Sequence, residues 1–152
     1  MARAPIPTWC YALVVVRKGE KFLLIQESTP GEQWYLPAGR VEAGESFAVA
    51  AVREVLEEGG VPVRLTGVLR VEHSPTAAGA RLRVVFVAEP TDDTPPKSEP
   101  DDESLRAEWV SLSELTNYEL RGDDVPRYFR YIASGGAVYP LSVLATENAP
   151  VV

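Results

Sequence analysis

The sequence predicts a mixed α/β or α+β sandwich, and three observations lead to this fold class. Short runs rich in β-branched and aromatic residues lie on both sides of one strongly helical segment, and further helix follows near the carboxyl end. The chain shows no internal repeat and no sign of a second domain. We therefore expect a single domain over residues 1–152, which is long enough to bury its own core.

The first expected element is a β-hairpin. Residues 11–17 and 21–27 are strand-forming runs, and Lys18-Gly19-Glu20 between them is typical of a short glycine turn. Residues 34–37 are expected to form a short extended piece, after which residues 40–42 continue as a strand.

A helix is expected over residues 47–58, with Ser46 as its amino-terminal cap and Gly59-Gly60 as its end. At about 100° per residue this helix has an apolar arc and an acidic arc. The apolar arc consists of Ala48, Val49, Val52, Val55 and Leu56.

Strand and loop patterns alternate in the second half of the chain. Residues 63–71 and 81–88 are expected to be strands joined by a turn-rich loop. Residues 91–103 are rich in proline and acid, which predicts a mobile surface loop. A strand at residues 105–111 carries Trp109, which we assign to the core. A short helix begins at residue 113, and a second helix covers residues 124–134.

Composition limits the classes of partner. Acidic residues outnumber basic ones by 22 to 15, so the formal net charge is −7. Because binding to a nucleic-acid polymer needs a basic face, we expect no such partner, although metal ions can hold a phosphorylated small molecule. The single cysteine, Cys10, allows no intramolecular disulfide, and the apolar run at residues 9–16 is too short to span a bilayer. We expect a cytoplasmic protein without a membrane partner.

Three glutamates carry the clearest chemical signal. Glu54, Glu57 and Glu58 project to one side near the carboxyl end of the expected helix, where the helix dipole disfavours anions. A solvated acidic helix face is the ordinary explanation of such a cluster. A bound cation is the alternative, and Mg²⁺ suits it because that ion prefers carboxylate, water and phosphate oxygens.

The surrounding residues favour the cation. The segment contains glycine, five residues, glutamate, seven residues, and then Arg-Glu-aliphatic-x-Glu-Glu-x-Gly-aliphatic. Chance would produce this pattern at a frequency below about 10⁻⁸ per starting position. The residues that fill it are Gly39, Glu45, Arg53, Glu54, Val55, Glu57, Glu58, Gly60 and Val61.

By this pattern the chain resembles the Nudix hydrolases, and the resemblance implies an α/β/α sandwich with a mixed β-sheet. It also implies a divalent metal, Mg²⁺ with Mn²⁺ as a substitute. Glu54, Glu57 and Glu58 would bind the metal with the carbonyl of Ala38. That residue replaces a glycine that is frequent in the family.

The resemblance also implies roles for two further residues of the pattern. Arg53 would orient a carboxylate, and Glu45 would either pair with that arginine or bind metal through water. A metal-activated water would attack phosphorus. The general base would be Glu54, Glu57 or, from a distal loop, Glu103; an ordinary acidic loop residue is the alternative for Glu103.

Substrate contacts are less clearly indicated. Trp34 and Tyr35 either stack on a base or pack in the core. Arg81 and Arg83 share one face of a strand, where they either grip phosphate or lie in solvent. His73, the only histidine, is interpreted as a polar loop residue rather than a catalytic one.

Outside the pattern the chain is similar to small bacterial phosphatases of the NudJ type. The likeness consists of the segment Pro37-Ala38-Gly39-Arg40, an acidic loop before a Trp-Val strand, and a closing helix followed by Tyr139-Pro140-Leu141. It implies hydrolysis of nucleoside di- or triphosphates, oxidised guanine nucleotides or thiamine-precursor pyrophosphate. The alternatives are an ADP-ribose or nucleoside diphosphate-sugar pyrophosphatase and a nucleotide-sensing module without catalysis. Either a monomer or a homodimer is compatible with the sequence.

Overall fold

The computed structural model describes residues 3–152. In chain order the elements are β1 (Thr8–Lys18), β2 (Lys21–Gln26), β3 (Trp34–Tyr35), β4 (Ala38–Arg40), α1 (Phe47–Gly59), β5 (Val63–Pro75), β6 (Ala80–Pro90), β7 (Arg106–Ser111), a 3₁₀ helix (Leu112–Asn117), α2 (Asp124–Ala133) and a 3₁₀ turn (Leu141–Val143). No helix within residues 3–152 is long and apolar enough to cross a membrane.

The strands form one seven-stranded mixed sheet in which β1 is central. β1 pairs in parallel with β6, from Thr8 opposite Ala80 to Val16 opposite Ala88, and antiparallel with β4. It then turns through Gly19, whose φ of 62° suits glycine, into β2. β2 pairs with β3 and β7, while β5 pairs with β6, all antiparallel.

Side chains of β1 alternate between two cores, one on each face of the sheet. Ala12, Val14 and Val16 pack with α1, whereas Leu13 and Val15 pack on the α2 side. The sheet is therefore covered by a helix on each face, which confirms the predicted α/β/α sandwich.

The helix α2 lies on the sheet through large apolar side chains. Val125, Tyr128, Phe129 and Ile132 are all buried. The ring of Phe129 stacks on that of Phe22, with the ring centroids 4.4 Å apart. This is the ordinary packing of an amphipathic helix.

The helix α1 packs differently, because most of its apolar arc faces outward. Val49, Val52 and Leu56 are 56%, 37% and 52% exposed, while Val55 is fully buried. The other residues that α1 buries are Ala50, Ala51, Glu54 and Gly59. Small residues let the backbone of α1 lie close to the sheet, and a carboxylate lies on its inner side.

Most expected elements are present, with shifted bounds. The second strand of the hairpin and the second helix agree with the sequence prediction to within one residue, but β1 begins three residues earlier than expected and β4 two residues earlier. β5 continues through Pro75 and β6 starts at Ala80, so the loop between them shrinks to residues 76–79. His73 consequently lies on β5, exposed, and not in a loop as predicted.

Two expectations about residues 91–109 agree with the structure only in part. The segment 91–103, predicted to be mobile, is attached to the end of α1: the Lys97 amide donates to the Gly59 carbonyl at 2.8 Å. Trp109, predicted in the core, is half-buried and packs against the core on the α1 side, and the Lys18 ammonium lies 5.9 Å from its ring centroid. Within residues 3–152 β7 pairs with β2 alone, and this edge position leaves one side of the indole open.

Candidate active site

The position of α1 depends on its two ends. At the first turn the Ser46 hydroxyl accepts a hydrogen bond from the Val49 amide at 3.1 Å, as predicted. At the last turn Gly60 adopts φ 69° and its N–H donates to the Leu56 carbonyl. These caps place Glu54, Glu57 and Glu58 in the final turns, beside β4.

The strand β4 approaches α1 so closely that only glycine fits at one position. A Cβ atom on Gly39 would overlap the Glu54 carboxylate, which is 7% exposed. The neighbouring Ala38 amide donates to Glu58 Oε2 at 3.4 Å. The backbone of Ala38 and Gly39 therefore forms one wall of the carboxylate group.

Arg53 is the centre of the ionic contacts. Its Nε and Nη2 donate to both oxygens of Glu45, at 2.7 and 2.8 Å, and Nη2 also donates to the Arg40 carbonyl at 2.9 Å. Its Nη1 donates to Glu54 at 2.8 Å and to Glu57 at 3.0 Å. Of the two predicted roles of Glu45, the structure contains the pairing with Arg53.

These contacts give the carboxylates different acidities. The hydrogen bond from Arg53 lowers the pKa of Glu45 to about 2. Burial, reinforced by the charge of Glu54, raises the pKa of Glu58 to about 9. Burial also raises the pKa of Glu54, although Arg53 opposes the rise. The positive charge of Arg53 thus outweighs burial at Glu45 but not at Glu54.

A divalent cation fits this donor set. The available ligands are carboxylate oxygens and a backbone carbonyl, which hard cations such as Mg²⁺ prefer. Within residues 3–152 no three acidic, histidine or cysteine side chains are already gathered as a metal cluster. Arg53 instead holds Glu54 and Glu57 by their oxygens. A cation would compete with Arg53 for them.

A cleft of about 210 Å³ adjoins the carboxylates, with Ala38 and Gly39 as the shared wall. Two arginine–tyrosine contacts flank it: the Arg81 guanidinium lies 4.9 Å from the Tyr11 ring centroid, and that of Arg121 lies 3.9 Å from Tyr35. The complete lining consists of Tyr11, Leu13, Tyr35, Ala38, Gly39, Arg40, Arg81, Arg83 and Arg121. Positive and aromatic groups therefore lie next to the acidic group.

The two predicted phosphate-binding arginines differ in their surroundings. Arg83 pairs with Glu72 at 2.8 Å and Asp124 at 3.2 Å. Arg81 is exposed and makes no ion pair within residues 3–152. Arg83 therefore supports the cleft wall, and Arg81 has the charge that an anionic ligand can use.

Tyr35 belongs to the same network as Arg83. Its hydroxyl donates to Asp124 at 2.8 Å, and burial together with this hydrogen bond raises the pKa of Tyr35 above its usual value. Trp34, by contrast, is buried with its ring edge against Tyr118, at 4.9 Å between centroids. Of the two alternatives for this pair, core packing applies to Trp34, and only Tyr35 reaches the cleft.

Glu103 is exposed in the loop before β7, and it does not line the cleft. Its amide donates to Asp101 at 2.9 Å. The cleft also contains residues that sequence reasoning missed, namely Tyr11, Arg40 and Arg121. Tyr11 is the first residue of the strand predicted at residues 11–17, which was a weak signal for a role in the site. No pattern in the sequence indicates Arg121.

Comparison with known proteins places these features in context. The model of the NUDIX domain family matches residues 9–133. "Putative nudix hydrolase 1" of Caenorhabditis elegans is 38% identical over 122 residues, covering 76% of this chain and 32% of that protein. Human "8-oxo-dGDP phosphatase NUDT18" is 39% identical over 121 residues, covering 76% and 36%. The chain therefore spans about a third of the length of these two relatives.

"Phosphatase NudJ" of Escherichia coli O1:K1 / APEC is similar over almost its full length, with 33% identity over 141 residues and 90% of each chain covered. Among solved structures, a "NUDIX hydrolase from Nitrosomonas europaea" superposes with a TM-score of 0.76 at 26% identity, covering 95% of this chain and 100% of that one. A Francisella tularensis "bifunctional NMN adenylyltransferase/ADP ribose pyrophosphatase" shares the fold, with a TM-score of 0.64 at 23% identity, over 88% of this chain and 44% of that one.

Proposed function

The chain belongs to the Nudix hydrolase family, and on this premise we propose that it hydrolyses a phosphoric anhydride bond in a nucleoside di- or triphosphate. The proposed metal is Mg²⁺, with Mn²⁺ as a substitute. We treat residues 1–152 as one catalytic domain that acts on a small phosphorylated molecule, as a monomer or homodimer, in the cytoplasm.

One observation carries the proposal. The buried Glu54 and the half-buried Glu58 share a wall, Ala38 and Gly39, with a cleft that contains four arginines. A nucleotide has a polyphosphate that needs cations on both sides and a base that packs on aromatic rings. A divalent ion at the carboxylates and the arginines of the cleft would together neutralise such a polyphosphate.

Glu54, Glu57 and Glu58 would hold the metal with the carbonyl of Ala38, and Glu45 would act through its bond to Arg53 or through a water. When bound, the metal lowers the pKa of water and neutralises charge on phosphate oxygens. Arg53 would still hold Glu45 through its two hydrogen bonds while a cation takes up Glu54 and Glu57.

A general base would take the proton of the attacking water. Glu57 has 37% of its side chain exposed, against 9% for Glu54, and so we favour it over the buried Glu54. Glu103 remains a further candidate, because its loop is attached to the same end of α1.

In the cleft, we assign substrate binding to Tyr35, Arg81 and Arg83. Arg81 would contact phosphate directly, whereas Arg83 would keep Tyr35 in place through Asp124. Trp34 would support the same strand from the core.

Oxidised guanine nucleotides are the substrates we place first, and the similarity to the 8-oxo-dGDP phosphatase supports this order. Similarity to NudJ supports a broader phosphatase, for which thiamine-precursor pyrophosphate is a further candidate. An ADP-ribose or nucleoside diphosphate-sugar pyrophosphatase is the second candidate function, supported by the shared fold of the bifunctional pyrophosphatase. A nucleotide-sensing module is the alternative without catalysis.

The test is a screen for released phosphate and pyrophosphate with Mg²⁺ and then Mn²⁺. The panel contains normal and oxidised guanine nucleotides, other nucleoside di- and triphosphates, ADP-ribose, nucleotide sugars and thiamine-precursor pyrophosphate. The Glu57→Gln variant is run in parallel. Metal-dependent turnover that this variant lacks is the expected result. Nucleotide binding without turnover in the wild-type chain would favour the sensing module.

A further inference from the structure

A largely buried lysine side chain attaches the loop before β7 to the last turn of α1. The side chain of Lys97 is only 11% exposed, and its ammonium donates to the Glu57 carbonyl and to the Ser104 hydroxyl at 3.0 Å. The Asp101 carboxylate accepts from the same ammonium through both oxygens, each at 2.7 Å. We call Lys97, Asp101 and Ser104 the lysine clamp.

The clamp supplies donors to three successive carbonyls of α1. Besides the bond from Lys97 Nζ to Glu57, the Ser104 hydroxyl donates to the Glu58 carbonyl at 2.6 Å. The Lys97 amide donates to the Gly59 carbonyl at 2.8 Å. The last carbonyls of a helix have no partner within the helix, so these three bonds satisfy groups that would otherwise need water.

Burial and charge both favour the contacts of the lysine clamp. Ser104 is fully buried (0% exposed), so its hydroxyl has no access to solvent. Lys97 brings a positive charge to the carboxyl end of the helix, where the dipole favours cations. Asp101 balances that charge, and its pKa is lowered by the hydrogen bond from Lys97. The loop therefore forms an ordered support, in spite of its loop-like composition.

The carbonyls that the clamp holds belong to residues whose side chains form the acidic group. Fixing the backbone of Glu57 and Glu58 fixes where their carboxylates point, because each side chain starts from that backbone. We infer that Lys97 and Ser104 are positioning residues, which hold the last turn of α1 in the geometry that binds the divalent cation. The inference rests on the proposed function, since it assigns these residues to the same metal site.

The test compares Lys97→Met and Ser104→Ala with the wild type. A matched control is Lys18→Met, which removes another lysine–aspartate pair of the same loop, Lys18–Asp93 at 3.2 Å, that shares no hydrogen bond with Lys97. Mn²⁺ affinity is measured by electron paramagnetic resonance without substrate. kcat and KM are measured at saturating Mn²⁺, and all assays run well below each variant's unfolding temperature.

Loss of a group that orients metal ligands typically weakens metal affinity or activity by about 10- to 100-fold. Lys97→Met should therefore raise the Mn²⁺ dissociation constant at least about tenfold and lower kcat, with little change in KM. Ser104→Ala should also raise the Mn²⁺ dissociation constant and lower kcat, but by a smaller factor. Lys97→Arg should recover part of the Mn²⁺ affinity and kcat that Lys97→Met loses. Lys18→Met should match the wild type in both quantities.

A lower unfolding temperature with unchanged Mn²⁺ affinity and kcat would overturn the inference and leave the clamp a purely structural cap. If Lys97→Met does not fold, Ser104→Ala decides, since it removes a single hydroxyl. Failure of the proposed function looks different: the wild-type chain itself would then bind no Mn²⁺ or show no turnover that Glu57→Gln abolishes, and the inference would fall with it.

Discussion

The two helices cover opposite faces of one sheet, yet they bury opposite kinds of residue. α2 buries large apolar side chains, of which Phe129 stacks on Phe22 at 4.4 Å. α1 buries two alanines, a glycine, one valine and the carboxylate of Glu54, and it exposes Val49 and Leu56. The same sheet thus supports one helix that packs and one that presents charge.

The difference indicates that α2 contributes mainly to stability and α1 mainly to activity. Burying a carboxylate costs free energy unless it is paired, so the inner face of α1 is poorly suited to stabilise a fold. Small residues compensate by allowing close contact between α1 and β4, and Arg53 supplies the pairing. We therefore expect changes beside α1 to affect activity and changes on α2 to affect folding.

The largest effect is expected from Gly39→Ala. The new Cβ would overlap the Glu54 carboxylate and push it away from its position. Displacement of a reacting geometry by about 1 Å can cost about 100-fold in rate. Steady-state kinetics should show at least that loss, with thermal unfolding as the control for the fold. Full activity would mean that Glu54 can move without consequence.

Phe129→Ala changes α2 and should therefore affect stability rather than activity. Removing a buried phenylalanine costs about 3–5 kcal/mol, since the cavity is not refilled. Urea unfolding should show this loss, while kcat per folded molecule should stay near the wild-type value. A kcat that falls in folded protein would show that α2 reaches the chemistry.

Asp124→Asn tests the ionic start of α2. Burial opposes ionisation of Asp124, but the hydrogen bonds from Tyr35 and Arg83 outweigh it and lower its pKa. Because the pKa of Asp124 is lower in the folded state, the ionised carboxylate stabilises the protein at pH values above its unfolded-state pKa of about 3.9. This stabilisation is lost as the pH falls through the folded-state pKa. The variant should therefore have a lower free energy of unfolding than the wild type near neutral pH, and this difference should disappear in acid. A difference that stays constant with pH would contradict this assignment.

The smallest effect is expected from Val49→Lys on the outer face of α1. Val49 is 56% exposed, and a surface change away from special contacts alters stability by no more than about 0.5 kcal/mol. Chemical unfolding measures the difference. A much larger loss would indicate that this face is covered in solution.

Local features of the fold and site were predictable from the sequence. The Ser46 cap, the end of α1 at glycine and the gathering of Glu54, Glu57 and Glu58 all depend on residues near one another in the chain. The alternating runs likewise predicted the hairpin and the sandwich. Each of these depends on short-range geometry, which a residue pattern records.

The cleft and the clamp were not predictable, because they join distant segments. Tyr11 and Arg81 meet only because β1 and β6 pair in parallel, and Arg121 comes from a loop more than a hundred residues after Tyr11. The acidic composition of residues 91–103 predicted mobility. Lys97 instead donates hydrogen bonds to carbonyls at the end of α1, and no local sequence pattern indicates that contact.

The parallel pairing of β1 with β6 also has a consequence for how the chain folds. Thr8 lies opposite Ala80 in this pair, so the central strand must wait for a partner that is synthesised much later. Until then β1 has only the short pairing with β2 and with β4, and its remaining edge is open to other chains. Contacts between such distant segments slow folding, and a newly made chain is most prone to aggregate before β6 docks.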